Sequence, residues 1–119
     1  MPIERIGITE PPAPISSRAV VCGGKVYLGG IRAADAGPDI VSQTRAALKR
    51  VENGLLEVGS NKHSILTVQI WITDMSDFAD MNAVWNEWVV AEQPPLRACV
   101  RGELCEAGAL VEFVVVALR

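Results

Sequence analysis

The 119-residue sequence contains one histidine, one tyrosine and three cysteines, and only 5% of it is aromatic. A lone histidine leaves little from which to build a catalytic metal centre. His63 has neither a carboxylate–histidine spacing nor a Cys-x-x-Cys pair to accompany it. It sits in the polar stretch 60–64, where a solvated loop residue is expected, and a Ser-His-Asp triad would depend on the same residue. The shortage of aromatics removes stacking platforms for single strands. Eleven Lys and Arg stand against fourteen Asp and Glu, for a net charge of −3, so there is no basic field and nucleic acid is not an expected partner. Cys22, Cys99 and Cys105 are odd in number and lack framework spacing, which points to reduced thiols and a cytoplasmic location. Long apolar runs are missing as well. The longest, 113–118, falls far short of the roughly 20 residues a membrane helix needs. Residues 1–14 are broken by Glu4, Arg5, Glu10 and the three prolines within 11–14, unlike a signal peptide. Gly29-Gly30 is followed by neither a Gly-Lys-Ser/Thr signature nor a three-glycine dinucleotide pattern, so these read as turn or close-packing glycines.

What is present describes one globular domain over residues 1–119, half of it hydrophobic. Two short β-branched runs, 18–22 and 25–28, flank Gly23-Gly24, a hairpin signal because glycine reaches the positive φ of a primed turn. Over 39–58 the period changes. Ile40, Thr44, Ala47, Leu48, Val51, Leu55 and Val58 form one stripe, while Gln43, Arg45, Lys49, Arg50 and Glu52 fall mostly elsewhere. This predicts a long amphipathic helix, capped by Asp39 or a neighbour and ended at Gly59. Residues 66–73 alternate as a strand, with Leu66, Val68, Ile70 and Ile72 on the apolar face. A second helix starting at Ser76 or Asp77 turns Phe78, Met81, Val84, Trp85 and Trp88 inward and stops before Pro94-Pro95. Two further strands, near 98–104 and 110–118, are joined by a turn at 106–108.

The order β-β-α-β-α-β-β implies an α+β fold: a mixed sheet with two helices on one face. The last strand is apolar on both faces and should be covered on both. Two helices of this length cover one side only. A second copy of the chain is the expected cover for the other, which makes the protein a homo-oligomer.

Two charged residues break the pattern around them. Glu112 shares its face of the last strand with Leu110, Val114 and Val116, where an ionised carboxylate is costly unless paired. Arg97 follows Pro95-Leu96 at the mouth of the strand expected to pair with the last one. The pair fits a carboxylate-binding pocket, formed within one chain or across a subunit boundary. It also fits a structural ion pair and a solvated arginine. Asn82 reads equally as a cap or a solvent-facing amide, and the three tryptophans as core or interface residues.

The segment Pro95-Leu96-Arg97-Ala98-Cys99-Val100, followed by Val111-Glu112-Phe113, resembles the C-terminal signature of the RidA (YjgF/YER057c/UK114) family. The likeness extends over nearly the whole chain, taking in the 20–30 hairpin, Gln43-Thr44-Arg45 and Asp77-Phe78-Ala79-Asp80-Met81-Asn82. It is greatest to divergent bacterial members whose second helix reads close to Met81-Asn82-Ala83-Val84-Trp85. This resemblance implies a chorismate-mutase-like fold assembled as a homotrimer, with a pocket in each cleft between subunits. It further implies a hydrolase of the 2-iminobutanoate/2-iminopropanoate deaminase kind. Such an enzyme converts reactive 2-imino acids, or their enamine tautomers, to 2-keto acids and ammonia without a metal or organic cofactor. By position, Arg97 would hold the substrate carboxylate and Glu112 would position water. Cys99 would contribute backbone groups, and Asn82 and Gly29 would line the pocket.

Three positions depart from the family pattern. Residues 14–18 replace a Gly-Pro-Tyr stretch, Gly29 replaces a serine, and Val114 stands where many members carry a second glutamate. The alternative they raise is a trimeric small-carboxylate-binding or stress-related module that has lost turnover.

Overall fold

The computed structural model describes residues 1–119. Six strands, β1 (Ile3–Ile6), β2 (Ala19–Cys22), β3 (Lys25–Ile31), β4 (Ile65–Ile72), β5 (Leu96–Arg101) and β6 (Val111–Leu118), form one sheet in the order β1-β2-β3-β6-β4-β5. Only β4 and β5 run parallel. Helices α1 (Ile40–Glu57) and α2 (Phe78–Trp88) pack together on one face. The shortest dimension, 21 Å, is that of one sheet and one helix layer. The other face of the sheet is uncovered. No helix is long and apolar enough to cross a membrane.

Local chemistry sets the main elements where the sequence put them. Gly23 and Gly24 turn the β2–β3 hairpin at φ +58° and +76°, values a side chain adopts only with strain. The Asp39 carboxylate accepts the Ser42 backbone N–H at 2.9 Å and caps α1, and Gly59 leaves the helix at φ +81°. Asp74 does the same for Ser76 in the short turn Met75–Asp77 that leads into α2. The α1 stripe (Ile40, Ala47, Leu48, Val51, Leu55) meets Met81, Val84 and Trp85 of α2. Beneath them lie Val68, Ile70 and Ile72 of β4, and Val111, Phe113, Val115 and Ala117 of β6, in one apolar cluster.

Several expectations are corrected. The sheet has a first strand, β1, that the pattern reading missed, because Ile3–Ile6 is an exposed edge without alternating burial. Leu66 does not join the core. A register shift between Ile65 and Thr67 inverts the alternation, burying Ile65 and exposing Leu66. Gln43 is not on the polar side of α1 but fully buried. The fifth strand is Leu96–Arg101 rather than 98–104, so Cys105 falls in the loop that follows.

The largest correction concerns pairing. Strand β5 pairs with β4 and not with β6, since the chain crosses over β4 and β6 inserts between β3 and β4. Burial explains the arrangement. The strand that is apolar on both faces takes the centre of the sheet, and β5, whose Leu96 and Val100 are exposed, takes an edge.

Candidate active site

The helix-facing half of the candidate site lies on β5 and α2. Arg97 stands opposite Val68 and Cys99 opposite Ile70, and both of those partners are core residues, so Arg97 and Cys99 point to the helix side of the sheet. There the Arg97 guanidinium lies 5.4 Å from the Trp85 ring centroid and 5.9 Å from that of Phe78. Its Nη2 donates to Asn82 Oδ1 at 2.5 Å. The helix repeat brings these three together, because Phe78, Asn82 and Trp85 are spaced at four and three residues along one side of α2. Two arginines of the chain are half-buried, Arg32 and Arg97. Arg32 pairs with two carboxylates, whereas Arg97 pairs with none. A cation held in a fixed orientation without a counter-charge can receive an anion, and its planar fork matches the geometry of a carboxylate. Burial pushes the Cys99 thiol up, against the opposing pull of Arg97, and so disfavours the thiolate.

The second half lies on the uncovered face. Glu112 stands opposite Trp71, which in turn stands opposite Val100, so all three share that face with Val114, Val116 and Tyr27. Arg32 Nη1 donates to Glu112 Oε1 at 2.6 Å, and Glu106 Oε2 lies 3.5 Å from Arg32 Nε. The hydrogen bond to Glu112 is the main cause holding the Arg32 guanidinium above its ordinary value. Gly30 makes room for the acid, since a Cβ there would meet the Glu112 carboxyl carbon at 2.7 Å. Gly29 is a close-approach glycine too, its Cβ position lying 3.1 Å from Val114 Cα at φ +159°. Beside them Ser17, Arg18, Tyr27, Gly29, Val114 and Val116 line a shallow cavity of about 240 Å³. These are the surroundings of the three positions at which the sequence departs from the family pattern.

A single chain therefore does not bring Arg97 and Glu112 together. They face opposite sides of one sheet, with β4 between their strands. Asn82 joins Arg97, and Gly29 lies against Val114, two residues along β6 from Glu112. Sequence reasoning did not single out Arg32 or Gln43. Gln43 Nε2 donates to the Gly37 and Gly108 carbonyls at 2.8 and 2.9 Å, and its Oε1 accepts the Leu110 N–H at 2.9 Å. This amide fastens the 102–110 loop that carries Glu106. Its three-residue step from Ile40 was a usable signal, whereas Arg32 follows the register shift after Leu28 and gave none.

Comparison with known proteins agrees with this architecture. The family model for endoribonuclease L-PSP matches residues 8–119. A RutC family protein of Haemophilus influenzae is 43% identical over 75 residues, 63% of this chain and 65% of that protein. The solved structure of a YjgF family member from Neisseria meningitidis is 35% identical and superposes with a TM-score of 0.91, covering 100% of this chain and 96% of the other. A YjgF/YER057c/UK114 member from Mycobacterium tuberculosis is 27% identical with a TM-score of 0.87, and 99% of each chain is covered.

Proposed function

From the premise that this chain belongs to the endoribonuclease L-PSP family, the YjgF/RidA group, we propose that it is a cofactor-independent hydrolytic deaminase of reactive 2-imino and enamine acids, acting in the cytoplasm. The observation that carries this reading is Arg97, a half-buried guanidinium clamped by Phe78, Trp85 and Asn82 and lacking any acidic partner. The clamp leaves its remaining N–H groups free to grip the substrate carboxylate. A protonated imine carbon then needs only an aimed water. The Glu112 carboxylate takes a proton from that water as its oxygen bonds to C2, and the C=N π pair moves onto nitrogen. The protonated Glu112 returns its proton to the carbinolamine nitrogen, the C–N bond breaks with its electron pair leaving as ammonia, and the hydroxyl proton passes back to the Glu112 carboxylate as the C–O bond becomes the keto carbonyl. No cysteine nucleophile enters, in keeping with the raised Cys99 thiol.

Because Arg97 and Glu112 face opposite sides of the sheet, this chemistry calls for two copies. One supplies Arg97, Asn82 and Cys99, and the uncovered face of the next supplies Glu112 and Gly29. A homotrimer closes that contact three times and covers the exposed Tyr27, Trp71, Val100 and Val114. An RNA substrate fits poorly with a chain of net charge −3.

The test uses an amino-acid oxidase to generate imines from several amino acids while semicarbazide competes for them. The protein is expected to lower semicarbazone formation and to speed release of keto acid and ammonia. The cavity walled by Gly29, Val114 and Ser17 favours a second reading, a carboxylate-binding module without turnover. In that case keto acids would raise the melting temperature while imine loss stayed at the buffer rate.

A further inference from the structure

Resting on the hydrolase reading above, we propose that Arg32 is a positioning residue for Glu112, fixing one oxygen of the water-activating carboxylate so that the other is left for the water. The 2.6 Å hydrogen bond from Arg32 Nη1 to Glu112 Oε1 occupies that oxygen, while Glu112 Oε2 has no hydrogen-bond or salt-bridge partner in the chain. Arg32 is itself held from two further directions. Arg50 donates from Nη1 to the Arg32 carbonyl at 2.6 Å and pairs through Nη2 with Asp35 at 2.6 Å, which fixes the backbone. Glu106, on the loop fastened by Gln43, flanks the guanidinium at 3.5 Å. Gly30 closes the arrangement, since the carboxylate occupies the space a side chain would take. A carboxylate on a strand face can swing between rotamers, and the hydrogen bond from Arg32 favours the one seen here.

An ion pair that served only to hold the fold would be badly sited here. It links Arg32, just past the end of β3, to β6 on the uncovered face, where the two side chains keep 33% and 20% of their exposure. The arrangement suits a carboxylate whose direction matters more than its burial.

The experiment is steady-state imine hydrolysis by the assembled full-length protein, comparing wild type, Arg32→Met, Arg32→Lys, Glu112→Gln and the double variant Arg32→Met/Glu112→Gln. Arg32→Met is expected to lower kcat roughly 10- to 100-fold, the cost of a misaimed catalytic group. KM, governed by Arg97, should stay within about twofold, and Arg32→Lys should recover part of the loss. In the Glu112→Gln background, removing Arg32 should change kcat no further, a non-additivity that a purely structural role would not produce. Millimolar methylguanidinium should restore part of the activity of Arg32→Met. Four results would overturn the proposal: an unchanged kcat, a loss confined to KM, full additivity in the double variant, or a fall in melting temperature with normal kcat in the folded fraction. If Arg32→Met does not fold, Arg32→Lys carries the same comparison. Failure of the hydrolase reading is recognised separately, because the wild type itself would then be inert and this inference would fall with it.

Discussion

Replacing Gln43 by leucine should destabilise the protein more than any single change on its surface. The side chain is fully buried in α1 and makes three hydrogen bonds, to the carbonyls of Gly37 and Gly108 and from the N–H of Leu110. Leucine keeps the apolar volume and removes all three. Each is worth about 1 kcal/mol net, and the half-buried Gly37 carbonyl and Leu110 N–H left without partners add to the cost. Gly108 is exposed, so water can satisfy its carbonyl and moderate the total. The expected loss is roughly 3 kcal/mol, a large share of the 5–15 kcal/mol typical of a domain. For a chain of this length that corresponds to a fall in Tm of roughly 10 °C. Thermal melts followed by circular dichroism, with urea titration as a second measure, provide the assay. Gln43→Glu should do more damage at neutral pH, because it turns a second carboxylate oxygen toward two carbonyls. Burial there raises the folded pKa of the new acid, so its penalty should grow as pH rises above about 4.3. A Gln43→Leu protein that melts within two or three degrees of wild type would refute the clamp.

Asp39→Ala should lower stability at neutral pH, since the Ser42 N–H holds the Asp39 carboxyl below its ordinary 3.8. With the folded pKa depressed, this contribution is fully present above the unfolded value and disappears as pH falls through the lower folded one. The two proteins should therefore converge in melts as pH falls well below 3.8. A difference that persists there would contradict the capping account. Trp71→Glu places a charge on the uncovered face, where Trp71 is 38% exposed. It is expected to convert the proposed trimer to monomer in analytical ultracentrifugation with little change in far-UV circular dichroism, and a variant that sediments as wild type would argue against this face as the subunit contact.

The legible parts of the fold were those written in local chemistry. Gly23-Gly24, the α1 stripe with Asp39 and Gly59 at its ends, and the stop before Pro94-Pro95 each carry their own instruction. The double-sided apolar pattern of β6 called for cover on both faces, but its place between β3 and β4 was not read from it. What stayed hidden depended on distance in sequence. Nothing in residues 96–101 says that β5 will run parallel to β4, because the crossover is decided by which strand tolerates an edge. Leu66 and Arg32 each follow a register shift, which inverts a two-residue alternation without marking itself in the residues. On the site, Arg97 and Glu112 stood out as charges in apolar surroundings, and Asn82 joined Arg97 through the repeat of α2. That Glu112 meets Arg32, 80 positions away along the chain, is a property of the β3–β6 pairing and has no local trace.

The most direct test of the account compares wild type with Arg97→Ala in oxidase-coupled imine hydrolysis, with sedimentation of both proteins in the same buffer. The account predicts that wild type clears imine well above the buffer rate, and that the alanine variant sediments identically but returns to the buffer rate. A correctly assembled Arg97→Ala protein that hydrolyses imines as fast as wild type would contradict it.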